Sequence, residues 1–276
     1  MISGRTTQPA AFSLTPDPPG KGAVVIAVVN QKGGCGKTTT AVNLSSCLAQ
    51  LGERVLLVDL DQQFNATLGL GVEPAPGRDS HALLVGEVSG IQDIAQPTRV
   101  FNLEIVPSSL RLSGADLDLA HRVGREGILA RSLAGAAQSY DFVIIDCAPA
   151  LSLLTINALG AAREALIPVQ TQYYALEGMK LLFKTINIVR KSINPDLAVL
   201  GLLPTFFDRR ASICLDVLEG LRDFFGDRVF QTVIRTNAKL AEAPSAGQPI
   251  NFYSPRSRGS QDYGNLAKEV LHRAGR

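Results

Sequence analysis

The sequence of 276 residues lacks paired cysteines, long apolar runs and a large net charge. Its four cysteines, at positions 35, 47, 147 and 214, form no Cys-x-x-Cys pair, which argues against a zinc site or a disulfide framework and is typical of a reducing compartment. No run approaches about 18 apolar residues, so we expect no membrane-spanning helix. A formal net charge of +2 is too small to indicate a polyanionic partner by itself.

The N-terminal segment also lacks the apolar stretch of a secretory signal, and it contains the run Thr15-Pro-Asp-Pro-Pro-Gly20. This composition predicts that residues 1–22 are a flexible tail. Because so few residues precede the first predicted strand, we expect no helix-turn-helix there and no operator-specific repression.

From residue 23 onward, apolar runs alternate with helical patterns. The predicted strands are 23–29, 54–60, 103–107, 140–146, 164–170 and 197–204. The predicted helices are 37–51, 117–138 with Gly124 as a candidate break, 151–161, 175–193, 212–225 and 259–273. This alternation predicts an α/β fold with a mostly parallel sheet and helices on both faces, without internal repeats or a second domain.

The segment Asn30-Gln-Lys-Gly-Gly-Cys-Gly-Lys-Thr-Thr-Thr40 follows a buried strand and opens a helix, which is the context of a phosphate-binding P-loop. Phosphates are anionic, and such a loop points backbone N–H groups at them. We therefore predict a P-loop NTPase fold that binds ATP and Mg²⁺. The predicted roles are phosphate contacts from the N–H groups of Gly33, Gly34, Cys35 and Gly36, β- and γ-phosphate contact from Lys37, Mg²⁺ ligation by Thr38 and α-phosphate proximity for Thr39.

A second lysine, Lys32, stands inside this loop. A charge so close to the phosphates must be used or screened. We interpret Lys32 as a catalytic charge given across a dimer interface to the partner's nucleotide, in the manner of an arginine finger.

Three carboxylates lie at the ends of predicted strands: Asp59 and Asp61 at the C-terminal end of the second strand, and Asp146 after Phe142-Val-Ile-Ile145. The carboxyl ends of parallel strands face the ligand in open sheets. Asp146 has the Walker B arrangement and is predicted to hold Mg²⁺ through water. Of Asp59 and Asp61, one can orient the attacking water, and the second can support the water shell of the metal.

These residues resemble the ParA/Soj partition ATPases, within the larger MinD/ParA group. The resemblance rests on Lys32-Gly-Gly-Cys-Gly-Lys-Thr-Thr39, on Val55-Leu-Leu-Val-Asp-Leu-Asp61 with Asn65-Ala-Thr67, and on Ile144-Ile-Asp-Cys147 with Leu153-Leu-Thr-Ile-Asn-Ala-Leu159. Tyr173-Tyr-Ala-Leu-Glu-Gly178, Ala241-Glu-Ala-Pro-Ser245 and Ser257-Arg-Gly259 extend it over about residues 23–272. Residues 23–276 are therefore expected to be a ParA-type P-loop ATPase domain.

The resemblance implies an ATP-sandwich homodimer that binds DNA without sequence preference. It also implies a ParB-like or cargo-adaptor partner that stimulates weak hydrolysis, and a cytoplasmic, nucleoid-associated location without membrane attachment. It places Asp61 where hydrolysis is controlled, Asp59 and Asp146 near the metal, and Arg210 and Lys239 on the DNA backbone. Residues 205–276 contain eleven Lys/Arg and eight Asp/Glu, which suits contacts to phosphates without base readout. The cargo, whether chromosome, plasmid or protein assembly, cannot be read from these residues.

The sequence departs from the family pattern at four places. Gln62-Gln-Phe64 replaces Pro and Gln-Gly after Asp61, which leaves the basal turnover open. Gln172 stands where an acidic residue is common, and Arg235-Thr236 replaces a Pro-Arg pair, so whether Arg235 joins the DNA surface is open. Cys35 replaces the usual Val, where only the backbone N–H is required.

Two alternatives compete with this interpretation. A MinD-like ATPase that cycles on membranes needs an amphipathic C-terminal helix with large apolar residues. Here Asn265-Leu-Ala-Lys-Glu-Val-Leu-His-Arg273 offers only Leu266, Val270 and Leu271, which we expect to pack on the domain. A reductase of the nitrogenase iron-protein kind needs two interfacial cysteines in each chain, and the four cysteines are not so placed.

Overall fold

Seven strands form one sheet in a computed structural model that describes residues 22–136, 138–172 and 175–276, without the side chains of 175–178. The strands are β1 (Val24–Val28), β2 (Val55–Leu60), β3 (Gln96–Pro97), β4 (Leu103–Val106), β5 (Phe142–Cys147), β6 (Glu164–Gln170) and β7 (Ala198–Thr205). Their order across the sheet is β3-β4-β2-β5-β1-β6-β7, and only the β3–β4 pair is antiparallel. The predicted mostly parallel sheet is thereby confirmed.

Helices connect the strands. In chain order the described α-helices are α1 (Lys37–Gln50), α2 (Asn65–Gly69), α3 (Ser80–Val85), α4 (Ala115–Asp118), α5 (Ile128–Ala134), α6 (Leu153–Ala161), α7 (Ala175–Ser192), α8 (Ser212–Phe225), α9 (Ala238–Glu242), α10 (Ile250–Tyr253) and α11 (Arg258–Arg273). Within the parts of the chain that the structure covers, every helix is too short or too polar to cross a bilayer.

The two faces of the sheet are covered by different sets of helices. Ile26 and Val28 of β1 belong to a buried cluster that includes leucines of α1 and α11. The intervening Ala27 points to the other face, into a cluster with residues of α3, α5, α6, α7 and α8. Alternate residues of a strand face opposite sides, so a sheet buried on both faces needs the continuous apolar runs seen in the sequence.

The prediction of one helix over 117–138 is wrong, although Gly124 does break it. The segment contains α4, which already ends at Asp118, and then α5, which begins at Ile128. Gly124 lies between them at φ +68°, a left-handed conformation that L-residues avoid and glycine adopts freely.

The expected tail, apart from residue 22, and the side chains of Tyr173-Tyr-Ala-Leu-Glu-Gly178 lie outside the described residues.

One buried carboxyl group lies within the sheet itself, at the start of a strand. Glu164 begins β6, between Ile26 of β1 and Ala198 of β7, and it is 3% exposed. Its Oε2 atom has no hydrogen-bond partner among the described residues. Burial raises the pKa of Glu164 from 4.5 to about 7, and the nearby Arg163 only partly opposes this shift.

We predict that Glu164 makes the folded protein less stable as the pH rises. The folded state retains this proton up to about pH 7, whereas the unfolded chain releases it near pH 4.5, so the folded state binds more protons between those values. The free energy of unfolding should therefore fall by up to about 3 kcal/mol across that window. Urea unfolding of Glu164→Gln between pH 5 and 8 should lack this component.

The control is Glu219→Gln, because Glu219 lies exposed on α8. It should follow the pH dependence of the unmodified protein. Identical pH profiles for Glu164→Gln and the unmodified protein would contradict the assignment.

Candidate functional site

The predicted phosphate loop lies between β1 and α1 and has the backbone shape that phosphate binding requires. Gly34 and Gly36 adopt φ of +68° and +91°, so both positions favour glycine. Among the described residues, no backbone carbonyl accepts a hydrogen bond from the N–H groups of Gly33, Gly34, Cys35 or Gly36. These donors stand at the N-terminus of α1, whose dipole favours an anion.

Side chains from elsewhere in the chain hold this loop in place. Asn30 donates from Nδ2 to the carbonyl of Pro168 on β6 over 2.7 Å, and its Oδ1 accepts from the N–H of Lys32 at 3.0 Å. On the other side, Thr205 Oγ1 donates to the Cys35 carbonyl over 2.8 Å. Apart from the N–H of Lys32, these contacts use side chains or carbonyls, and they leave the N–H groups of residues 33–36 available.

The two lysines of the loop differ in burial. Lys37 is 6% exposed, and its Nζ donates to the carbonyl of Lys32 over 3.0 Å. Lys32 itself is exposed, and its ammonium donates to Gln172 Oε1 over 3.2 Å. The buried ammonium is therefore directed at the loop of its own chain, whereas the exposed one can reach beyond it.

Asp146 is the residue that best fits a metal or another cation. It is fully buried, and neither carboxylate oxygen makes a hydrogen bond of normal length to a described residue. Burial and the charge of Asp59 raise its pKa well above the usual range, while the Thr38 hydroxyl and Lys37 favour its charged form. An unpaired buried carboxylate is costly, and a bound cation would remove that cost.

A Mg²⁺ ion here would need ligands beyond the protein. Among the described residues, no group of three or more His, Cys, Asp and Glu could hold a metal by itself. Mg²⁺ commonly takes one or two protein ligands and completes its shell with water and substrate phosphates. Asp146 and the partly buried Thr38 at the start of α1 fit that pattern.

Asp59 lies beside Asp146 on the neighbouring strand, but its oxygens already have protein partners. Oδ1 accepts from the N–H of Asp61 at 3.1 Å, and Oδ2 accepts from both the N–H and the hydroxyl of Thr67 at 2.9 and 2.7 Å. Burial raises the pKa of Asp59 to about 6 despite the opposing hydrogen bond from Thr67. In this structure Asp59 braces the segment after β2, and its predicted support of the metal's water shell stays a prediction.

Asp61 begins that braced segment and is buried. Its Oδ1 accepts from the N–H of Gln63 at 3.0 Å, and its carbonyl accepts from Ser108 Oγ at 2.9 Å. Phe64 follows at φ +43°, a conformation in which a glycine would be unstrained. The replacement of glycine by Phe64 therefore stores strain in the segment that carries Asp61. Sequence reasoning did not identify Ser108, which follows a different strand.

The two residues expected to contact DNA are exposed, and each is paired with a carboxylate. Arg210 is 86% exposed and forms a two-pronged contact with Asp208, with N–O distances of 2.9 and 3.1 Å. Lys239 contacts Glu242 at 2.7 Å. Exposed ion pairs of this kind contribute little to stability, so a phosphate can displace the carboxylate.

Backbone contacts bring these basic residues to neighbouring segments. The N–H of Phe207 donates to the carbonyl of Ile234, and the N–H of Thr236 donates to the carbonyl of Phe207. Gly259 packs against Leu240, where an added Cβ would lie 2.8 Å from the leucine side chain. We call the resulting set of exposed side chains the basic surface; it consists of Arg209, Arg210, Lys239, Arg256 and Arg258.

Sequence reasoning missed Arg256 and Arg258. They lie within three residues of Gly259 in sequence, and Gly259 contacts Leu240, which follows Lys239. Arg235 is different, because it contacts the buried Asp262 at 2.6 Å. Its guanidinium therefore holds α11 to the segment before α9.

Comparisons with known proteins agree with this geometry. A family model described as an AAA domain matches residues 23–199. The chain is 48% identical over 246 residues to the sporulation initiation inhibitor protein Soj of Bacillus subtilis, covering 89% of this chain and 97% of Soj. It is 44% identical over 251 residues to the chromosome partitioning protein ParA of Myxococcus xanthus, covering 90% and 88% of the two chains.

Among solved structures, the chain is similar to cobyrinic acid a,c-diamide synthase from Mycobacterium smegmatis with a bound ATP analog and magnesium. The TM-score is 0.79 and the identity 35%, over 92% of this chain and 97% of the synthase.

We predict that Thr67→Val destabilises the site and the fold together. The substitution removes the hydroxyl that donates to Asp59 and accepts from the N–H of Ser108. Two buried polar groups then lose a partner, which should lower the free energy of unfolding by about 1–3 kcal/mol. Urea denaturation without nucleotide measures this loss.

Thr236→Val is the matched control, because Thr236 is exposed. It should change the stability by no more than about 0.5 kcal/mol. An equal effect of both substitutions would show that the contacts of Thr67 do not matter.

Proposed function

The chain belongs to the Soj/ParA family of partitioning ATPases, and we propose that it is a nucleotide-switched dimer that binds DNA without sequence preference. Its nucleotide is ATP, taken with Mg²⁺. The observation that carries the proposal is the combination of free loop amides, buried Lys37 and unpaired Asp146 at one edge of the sheet. A Mg²⁺-bound triphosphate supplies acceptors for the loop amides, an opposite charge for Lys37 and a cation for Asp146.

In this proposal the loop residues bind and orient the nucleotide. The N–H groups of residues 33–36 and the start of α1 contact phosphate oxygens, with Thr39 near the α-phosphate. Lys37 turns from the Lys32 carbonyl to the β- and γ-phosphates. Thr38 and Asp146 hold Mg²⁺, which when bound neutralises charge that develops on the phosphates.

Hydrolysis requires a positioned water, and we assign that role to Asp61. One of its oxygens is fixed by the N–H of Gln63, which leaves the other free to accept a proton or to orient a water. Lys32 contributes from the partner protomer, because its ammonium is exposed and not committed to its own loop. Strain at Phe64 and the need for a second protomer both favour slow turnover without an activator.

The basic surface is the proposed DNA contact. Its five cations are exposed. Arg210 and Lys239 can each exchange a weakly held carboxylate for a phosphate. Contacts of this type do not read bases, so binding should be insensitive to sequence and sensitive to salt. An ATP dimer would present two such surfaces and associate with the nucleoid. A ParB-like or cargo-adaptor protein would then stimulate hydrolysis and release the complex.

The packing of α11 disfavours the alternative of a membrane-cycling ATPase. Leu266 and Val270 are fully buried in the core cluster that also contains α1, and Leu271 packs partly against it. A helix that lies on a bilayer must present such residues to the lipid. Here they stabilise the domain.

Asp61→Ala should trap the ATP-bound dimer, because nucleotide binding remains while water is no longer positioned. We expect ATP turnover to fall at least about 100-fold. Size-exclusion chromatography should give a dimer with ATP and a monomer with ADP. A monomer in both conditions would contradict the sandwich dimer.

Two lysine variants separate the steps of this mechanism. Lys37→Ala should abolish nucleotide binding, measured with a fluorescent ATP analog. Lys32→Ala should bind nucleotide normally yet fail to form the dimer or to hydrolyse ATP. Loss of nucleotide binding in both variants would remove the distinction between the two lysines.

For DNA binding, a pair of opposite variants tests the basic surface. Arg210→Glu should weaken ATP-dependent binding to a duplex of arbitrary sequence, and it should lower the salt slope of log K by about 1 for each lost phosphate contact. Asp208→Asn should strengthen binding, because it removes the competing carboxylate of Arg210. Nucleotide affinity is the control and should not change. Unaltered DNA affinity in both variants would remove Arg210 from the interface.

A further inference from the structure

We propose that Gln172 is a positioning residue for Lys32, holding its ammonium at the edge of the site without neutralising it. This inference rests on the proposed function, in which Lys32 acts on the nucleotide of the partner protomer. The contact is a hydrogen bond of 3.2 Å from Lys32 Nζ to Gln172 Oε1, between residues 140 positions apart.

The backbone of Lys32 is fixed, so the direction of its side chain matters. Its N–H donates to Asn30, which is in turn bound to Pro168 of β6. Its carbonyl accepts from the buried Lys37. The contact through Asn30 does not involve Lys37 and remains when Lys37 turns to the phosphates. The side-chain torsions of Lys32 then decide where its charge lies.

The backbone of Gln172 is fixed to the same framework. Its N–H donates to the carbonyl of Gln170 at 2.8 Å, and the preceding Thr171 donates to Thr205 through both its N–H and its hydroxyl, at 3.1 and 3.2 Å. Thr205 also holds the loop through Cys35. The acceptor and the donor of the contact are thus held in register through β6 and β7.

The chemistry of the acceptor determines what this contact does. An amide oxygen accepts a hydrogen bond from an ammonium but carries no net charge, so Lys32 keeps its full charge for a phosphate. A carboxylate at this position would form an ion pair with Lys32. At a separation of about 4 Å in water, that attraction would make transfer of the Lys32 ammonium to a phosphate less favourable by a factor on the order of five. Gln172 therefore orients Lys32 and releases it easily.

Two nearly isosteric variants separate orientation from release. Gln172→Glu adds a charge, and Gln172→Met removes the acceptor at similar volume. With a non-hydrolysable ATP analog, we expect half-maximal dimerisation to need about fivefold more protein for Gln172→Glu and about threefold more for Gln172→Met. Sedimentation equilibrium measures dimerisation, and a fluorescent ATP analog should bind the monomer of both variants within about twofold of normal.

Salt provides a readout that a merely structural role would not alter. The defect of Gln172→Glu should shrink between low and high ionic strength, because an exposed ion pair is screened. The defect of Gln172→Met should not change. Gln261→Glu is the control for added charge, since Gln261 is exposed on α11, and it should dimerise normally at every salt concentration.

A double-mutant cycle with Lys32→Met completes the test. The inference predicts that Lys32→Met alone impairs dimerisation and that Gln172→Glu adds nothing to it. Normal dimerisation of Lys32→Met would overturn both the proposed role of Lys32 and this inference. If Lys32→Met is impaired while Gln172→Glu is normal, or has the same effect in both backgrounds, the inference fails and the proposed function stands.

Discussion

The interaction on which the site depends is the burial of opposite charges at the carboxyl edge of the parallel sheet. Asp59, Asp146 and Lys37 are all buried there, within adjoining elements. Asp59 is compensated by three hydrogen bonds from its own chain, whereas no described residue makes a hydrogen bond of normal length to the oxygens of Asp146. Because an uncompensated buried carboxylate is unfavourable, this edge is stabilised when a cation and a polyanion bind together. A magnesium nucleotide satisfies both requirements at once.

The nucleotide site is connected to the rest of the fold through α1. The helix begins at the phosphate loop, and its polar side chains contact the C-terminal segments: Thr40 with Tyr263 at 3.2 Å, Asn43 with the N–H of Ile250 at 2.6 Å and Ser46 with Asn251 at 2.9 Å. Buried polar contacts of this kind fix one arrangement, since each group needs its partner. The loop and the segment that carries the basic surface are therefore packed against the same helix.

Much of the fold could be predicted from sequence, because buried parallel strands require continuous apolar runs. The predicted bounds of β6 and α8 agree with the structure at every residue, and those of the other long elements differ by one or two positions. Prediction was wrong over 117–138, where Gly124 and tertiary packing divide the chain into short pieces. The strand β3 was missed because two residues give no periodicity.

The candidate site divides in the same way. Residues of the phosphate loop were identifiable because their spacing is local. Asp146 was identifiable because it ends the predicted strand 140–146. The contacts that hold them were not, since Thr205 and Cys35 are 170 positions apart in sequence, and Asn30 and Pro168 are 138 apart. Buried groups of the site are held by such contacts, whereas Lys32 and Arg210 are exposed and held by single weak partners. The proposed cycle, in which a second protomer and a DNA duplex are released at each turn, requires this division, because firm contacts preserve the nucleotide site while weak ones are exchanged.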